Sequence, residues 1–313
     1  MIRIGVDVGG TGIQIGVVNN KFKIIRESSI PTRTDLPFED QLRQIAACID
    51  STVREAGFSL NDIESVGIGI PGIASAKTGE IIKCTNMGWY HMPFRDVFIR
   101  YLNKPVHIDN DANVAALAES VAGVSAGTSS SVFITIGTGI GSGIIINGRI
   151  WSGAHHIGGE LGHVIFDLGG VPCTCGNSGC LERYCSATAL IRMAREAVSD
   201  CPDSMIIQSV NMDPDKIEAK TVFDAARAGD PLAETVYQQY IDNLAQAIGS
   251  VVNLLDPEVI VLGGGVSKAG SFLLDPLARE YPKYVLFNDQ PLPPLKLAVL
   301  GSDAGIIGAA MLS

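Results

Sequence analysis

The 313-residue sequence predicts an α/β protein of two related halves, each a mixed sheet flanked by helices, with a cleft between them. Three observations carry this. Short apolar runs of strand length are interspersed with longer stretches of helical periodicity. The strand-like runs end in glycine turns. A strand–glycine-turn–strand unit at Asp7-Val8-Gly9-Gly10-Thr11 recurs about 130 residues later at Ile136-Gly137-Thr138-Gly139, which reads as an internal duplication.

The elements follow in order. Ile2–Asp7 is a strand, followed by the Gly9-Gly10 turn and further strands at Gln14–Val18 and Ile24–Ser28. In Phe38–Ala56 the residues Phe38, Leu42, Ile45, Ala46, Ile49 and Val53 recur at spacings of three and four, the mark of an amphipathic helix. Ser65–Ile70 is a strand closed by Pro71-Gly72. Val106–Ile108 is another, running into Asp109-Asn110-Asp111 and an Ala-rich helix, Ala112–Ala122. The pattern then restarts with strand Ser131–Ile136, glycine turn Gly137–Gly143 and strand Ile144–Ile146. Helices are expected over Ser186–Ser199, Thr221–Gly229 and Pro231–Leu255. Val259–Leu262 is a strand ending in Gly263-Gly264-Gly265, and the chain closes with strand Leu295–Leu300 and a small-residue helix, Asp303–Met311.

Composition narrows the function. A hydrophobic share of 46% over this length is enough for two cores, and 18% charged residues is not the composition of a disordered chain. The net charge of -10 argues against nucleic acid or an anionic membrane as partner. It leaves ATP open, because backbone N–H groups and a metal ion can hold phosphates. Ile2-Arg3-Ile4-Gly5-Val6-Asp7 reads as a strand rather than a signal peptide, and no apolar run is long enough to span a membrane. A cytoplasmic protein is expected, with its seven cysteines as thiols or metal ligands rather than disulfides.

Three glycine turns stand at strand ends. In Asp7-Val8-Gly9-Gly10-Thr11-Gly12 the glycines let the backbone turn sharply and approach phosphate oxygens, and Asp7 can hold Mg²⁺ through water. Gly137-Thr138-Gly139-Ile140-Gly141-Ser142-Gly143 repeats the device, and Gly263-Gly264-Gly265 is a third. None matches the G-x-x-x-x-G-K-[ST] pattern of a P-loop.

His163, Cys173, Cys175 and Cys180 are spaced His-x9-Cys-x-Cys-x4-Cys. Three thiolates and an imidazole satisfy tetrahedral zinc, and a closed set of four ligands points to a structural site. Glu160, in Gly158-Gly159-Glu160-Leu161-Gly162-His163, and Glu182, two residues after Cys180, flank this loop. Each could be a solvated surface carboxylate, the usual fate of Glu, but their convergence on one metal-anchored loop favours a site. Asp111 follows an apolar strand and opens a helix, so it reads either as a helix cap or as a ligand group at a strand's C-terminal end.

Taken together these segments resemble the ROK family (repressor, open reading frame, kinase), and most closely its bacterial glucokinase branch. The matching stretches are Asp7–Gly12, Gly67-Ile68-Gly69-Ile70-Pro71-Gly72, Asn86-Met87-Gly88-Trp89, Asn110-Asp111-Ala112-Asn113, Gly137–Gly143, Gly158–His163, Cys173–Glu182 and Gly263–Gly265. The resemblance implies an actin-like, hexokinase-type (ribonuclease H-like) fold of two lobes. Residues 1–116 with 298–313 would form the small lobe, and residues 117–297 the large lobe with the zinc loop. It implies that Asp111 is the catalytic base. Asn110, Asp111, Glu160, His163, Glu182 and Gly72 would bind the sugar, with His163 serving both zinc and sugar through its two ring nitrogens. Asp7, Gly9, Gly10, Thr11, Gly12, Gly137, Thr138 and Gly139 would face the phosphates of Mg-ATP, and Gly263, Gly264 and Gly265 the nucleoside.

The implied activity is phosphorylation of a hexose at its 6-hydroxyl, with glucose expected, by a homodimer. Fructose, mannose, allose, N-acetylglucosamine and N-acetylmannosamine share the same motifs, and polyphosphate remains open as a donor. Gly12-Ile13-Gln14 departs from the pattern, since many relatives carry Lys or a similar residue there. The family's repressors carry a helix-turn-helix before the first phosphate strand, and none is expected here. A sugar-sensing regulator without activity is opposed by the intact Asp111 and glycine loops. A zinc-ribbon nucleic-acid binder is opposed by the acidic charge and by the lack of basic residues around Cys173–Cys180.

Overall fold

A computed structural model of the chain describes residues 2–313. The chain divides into two compact units, Met1–Ser131 with Gly143–Gly159 and Val299–Ser313, and Val132–Ser142 with Glu160–Ala298. The expected mixed α/β architecture is present.

The chain opens with β1 (Ile2–Val8), β2 (Gly12–Asn19) and β3 (Ile24–Pro31), an antiparallel meander. Helix α1 (Phe38–Glu55) buries Leu42, Ile45, Ala46, Ile49 and Val53, the stripe its periodicity predicts. Strand β4 (Ile63–Ile70) lies parallel to β1. It is buried from Ser65 onward, as a strand covered on both faces must be. Strands β5 (Ile73–Ala74), β6 (Ile81–Cys84) and β7 (Trp89–Met92) form a separate three-stranded sheet. Helix α2 (Phe94–Leu102) leads to β8 (Val106–Asn110), parallel to β4, and α3 (Asp111–Ala122) follows without a loop. Because α3 is unbroken, the lobe boundary expected at residue 116 falls inside a helix. Residues 117–131 belong to the first unit.

The second sheet begins with β9 (Ser130–Ile136), β10 (Ile140–Ile146) and β11 (Arg149–Ile150). The glycine turn expected over Gly137–Gly143 is only three residues long. Gly141, Ser142 and Gly143 are already strand, and a Cβ on Gly143 would lie 2.5 Å from the Ala116 Cβ, so glycine is there for close packing on α3. Then come α4 (Glu182–Cys185), α5 (Ala187–Val198), α6 (Met205–Gln208), α7 (Ala219–Arg227) and α8 (Pro231–Leu255). The start of α8 is fixed by Pro231 in its first turn and by Asp230, whose carboxylate accepts from the Ala233 N–H at 2.7 Å. The chain continues through β12 (Val259–Gly263), α9 (Ser271–Glu280), β13 (Leu295–Leu297) and α10 (Asp303–Ala310).

The first sheet has the order β3-β2-β1-β4-β8 and the second β11-β10-β9-β12-β13. A three-strand meander followed by two further strands thus appears twice, which is the duplication read from the glycine turns.

Helix α10 packs flush on the first sheet and on α3 because small residues let backbones touch. A Cβ on Gly67 would lie 1.7 Å from the Ala309 carbonyl oxygen, and one on Gly308 would lie 1.9 Å from that of Val114. Buried Glu119 of α3 holds the chain entering this helix. Its Oε1 accepts from the Val299 and Leu300 N–H groups at 2.9 and 3.0 Å. Among the described residues, no helix is long and apolar enough to cross a membrane.

Candidate active site

In the first unit the candidate residues share the C-terminal edge of parallel strands β1, β4 and β8. The register puts Asp7 opposite Gly69, and Gly69 opposite Asp109. The C-terminal edge is where open α/β sheets keep their ligands. Past Asp7 the chain makes a tight hairpin. The Gly9 N–H donates to the Gly12 carbonyl at 2.9 Å, and Thr32 Oγ1 donates to the Gly9 carbonyl at 2.7 Å. A Cβ on Gly9 would lie 2.8 Å from that Gly12 oxygen, so the turn needs glycine. Gly10 and Thr11 are exposed at its tip. Burial raises the Asp7 carboxyl above its ordinary value. The first turn of α10 leaves room for it, since a Cβ on Gly305 would lie 2.3 Å from Asp7 Oδ2.

At the β8–α3 junction the cap is Asn110, not Asp111. Asn110 Oδ1 accepts from the Ala112 and Asn113 N–H groups at 2.8 and 3.3 Å, and Asn110 Nδ2 donates to the Gly72 carbonyl at 3.0 Å. A primary amide has two N–H donors, so one of Asn110 remains. Asp111 is the exposed first residue of the helix, and its Oδ1 accepts from the Ala112 N–H at 2.8 Å. Of the two readings of Asp111, the cap is therefore taken by its neighbour. Gly72 serves through its carbonyl, which orients Asn110.

In the second unit the other two glycine turns meet. A Cβ on Gly264, whose φ is +82°, would lie 2.5 Å from the Ile136 carbonyl oxygen, directly before Gly137-Thr138-Gly139. Thr188 Oγ1 donates to the Thr138 carbonyl at 2.6 Å and pins the turn to α5. A Cβ on Gly139 would lie 2.7 Å from Glu182 Oε2, so the glycine gives the carboxylate its place. Glu182 Oε1 is 3.1 Å from Cys173 Sγ and 4.0 Å from His163 Nδ1. Glycine turn, carboxylate and cysteine–histidine loop are thus one assembly. Glu160 precedes the short turn Leu161–His163, is exposed, and makes no side-chain hydrogen bond or ion pair among the described residues.

The four expected metal ligands converge. The donor atoms of His163, Cys173, Cys175 and Cys180 all lie within 4.8 Å of one another. Cys175 Sγ is 3.5 Å from Cys180 Sγ, and Cys173 Sγ is 3.8 Å from His163 Nδ1. A tetrahedral zinc would space two sulfurs by about 3.8 Å and a sulfur and a nitrogen by about 3.6 Å, so the donor set fits. Burial and the adjacent Cys175 and Cys173 push the Cys180 thiol up to about 12. Crowded thiols resist ionising together, and a bound divalent cation reverses that. The nitrogen turned toward the cluster is Nδ1, which leaves Nε2 for another partner.

Sequence reasoning did not single out Asp109, Asn113 or Gly305. Asp109 Oδ1 accepts from the Asn110 N–H at 2.7 Å and from Asn113 Nδ2 at 2.8 Å, beneath the cap. An Asp before Asn-Asp and an Asn one turn on, at i+4, was the available signal.

The ROK family pattern matches residues 3–313. The chain belongs to the ROK family. Among its relatives is the glucokinase of Halalkalibacterium halodurans, 38% identical over 99% of this chain and 94% of that one. The glucokinase of Thermotoga maritima is 35% identical over 98% of this chain and 95% of its own. A solved ROK glucokinase from Streptomyces griseus, in complex with glucose and AMPPNP, is similar at a TM-score of 0.80 and 32% identity, covering 99% and 98% of the two chains. The actin-like fold expected from the sequence is the fold of this ROK protein, which is a sugar kinase.

Burial raises Asp109 above its unfolded value of 3.8, against the lowering effect of its two hydrogen bonds and nearby His156. The folded state therefore holds the proton more tightly, and ionising Asp109 costs stability. That cost is absent below the unfolded value and complete above the raised one. Asp109→Asn keeps an oxygen for both donors. It is expected to be more stable than wild type at pH 7 in urea denaturation, with the gain fading as pH falls toward 3.8. An unchanged difference at all pH values would show that folding does not shift the Asp109 pKa.

Proposed function

We propose that this chain transfers the γ-phosphoryl group of Mg-ATP to the 6-hydroxyl of glucose. The observation supporting this reading is the full-length likeness, 32% identity at a TM-score of 0.80, to a glucokinase solved with glucose and an ATP analogue.

In the first unit, Asp111 takes the proton of the 6-hydroxyl as that oxygen attacks the γ-phosphorus. The bond from phosphorus to the bridging oxygen breaks, and ADP leaves. Such general-base help is worth ~10²–10⁴-fold. Asn110, held by Gly72, donates its remaining N–H to a sugar hydroxyl. The tip of the hairpin at Gly10 and Thr11 faces phosphate, and Asp7 is the carboxylate that would hold Mg²⁺, which would supply charge compensation on the phosphates. In the second unit, Gly137, Thr138 and Gly139 face phosphate, and Gly263–Gly265 face the nucleoside. Glu160, Glu182 and His163 Nε2 take hydroxyls of the ring. His163, Cys173, Cys175 and Cys180 would hold one structural zinc, which would fix the loop that carries Glu182. The resemblance also implies a homodimer.

Asp111→Asn is expected to fold and to bind glucose nearly as wild type does, while kcat falls by about 10²-fold or more. Coupled ADP release together with glucose titration checks both halves. Near-normal turnover would remove Asp111 from the base role.

Protein purified without chelator is expected to hold one zinc per chain by elemental analysis, with Cys173, Cys175 and Cys180 protected from thiol reagents. Cys175→Ser should lose that metal and melt at lower temperature. Zinc-free wild type with all seven thiols titratable would contradict the assignment.

A further inference from the structure

We infer that the first unit carries a second small-molecule site, on the face of β8 opposite Asn110, suited to a phosphorylated monosaccharide. Successive strand residues point to opposite faces, so His107 and Asp109 share the face that Asn110 does not. A cavity of about 590 Å³ opens there, within the ~300–1,000 Å³ typical of small-molecule sites. Its apolar walls include Leu117 and Val121 of α3, Ile150 of β11 and Leu312. These suit the C–H face of a sugar ring.

The polar groups in the cavity are few and convergent. Asp109 lines it and is only 6% exposed. Both of its hydrogen-bond donors, the Asn110 N–H and Asn113 Nδ2, go to Oδ1, and no Lys or Arg pairs with it among the described residues. Oδ2 is the acceptor it can offer a ligand hydroxyl. A buried carboxylate without a Lys or Arg partner is costly, and such groups mark functional sites.

His156 faces the same space in a left-handed backbone conformation, φ +59°, which a side-chain-bearing residue seldom adopts. Its Nδ1 is 3.2 Å from Ser152 Oγ, which leaves Nε2 for a ligand. His107, made less basic by burial and by nearby Arg95 and Arg3, is a neutral partner for hydroxyls. Arg149 stands exposed at the cavity and makes no ion pair among the described residues. A guanidinium takes a phosphate through two parallel hydrogen bonds. An anionic head for Arg149, hydroxyls for Asp109 and the two imidazoles, and a ring for the apolar wall together describe a sugar phosphate. The inference does not depend on the reaction proposed above.

The test is calorimetric titration of glucose 6-phosphate into wild type and Arg149→Gln, each saturated with glucose and AMPPNP, with inorganic phosphate as control ligand. Binding to wild type is expected to survive saturation. In Arg149→Gln it should weaken about tenfold or more, as the loss of a charge-assisted contact predicts, while kcat/KM for glucose stays unchanged. His156→Ala should weaken it as well. Equal affinity in Arg149→Gln, full displacement by glucose with AMPPNP, or no binding at millimolar concentration would overturn the site. Inorganic phosphate binding as tightly as the sugar phosphate would overturn the recognition of hydroxyls. A chain inactive on every sugar that still binds the probe through Arg149 would keep this site and lose the reaction.

Discussion

The candidate site in the first unit depends on one side chain, the amide of Asn110. It closes the N-terminus of α3 with its oxygen and reaches the Gly72 carbonyl with its nitrogen. An uncapped helix start leaves N–H groups without partners, and a neighbouring Asp is a common solution. Here Asn110 meets that need. Asp111 is the exposed first helical residue. Asp109 fastens the turn from below, and the strand register sets Asp7 level with it. Strand pairing, helix capping and the placing of two carboxylates are thus one constraint expressed at three levels.

The second unit solves its positioning problem with glycine and sulfur. Glu182 lies between a glycine turn and a cysteine–histidine cluster, so its carboxylate has a defined place on both sides. A short loop has little apolar surface to bury and cannot hold such a residue by packing alone. Four donor groups drawn to one point can do so, because metal binding free energy becomes folding free energy. The glycines at 139 and 264 are spaces that neighbouring atoms occupy, not signs of flexibility.

Much of this was legible in the sequence. The long apolar strands, the stripe on α1 and the full extent of α8 follow from periodicity and end signals. The cysteine–histidine cluster follows from spacing, because ligands must be near in sequence to close a small loop. What the sequence hid was set by tertiary contact. Strands β5 to β7 are two to four residues long, too short for alternation to show. Helix α2 is short, and α9 carries Pro276 inside it, which reads as a helix breaker. Gly141 and Gly143 look like turn residues and are strand, because α3 presses on Gly143. Whether Asn110 or Asp111 caps α3 depends on the chain's path out of β8, which composition does not reveal.

The central claim is that these residues select and phosphorylate glucose. It is tested most directly by kcat/KM at fixed Mg-ATP for glucose against fructose, mannose, allose, N-acetylglucosamine and N-acetylmannosamine. The proposed reading gives ring hydroxyls to Glu160, Glu182 and His163, and a site built around a hydroxyl discriminates strongly against a sugar that misplaces it. Glucose is expected to have the highest value. Another sugar exceeding it by about tenfold, ~1.4 kcal/mol in transition-state binding, would contradict the glucose assignment. No phosphorylation of any of them would contradict the kinase reaction itself.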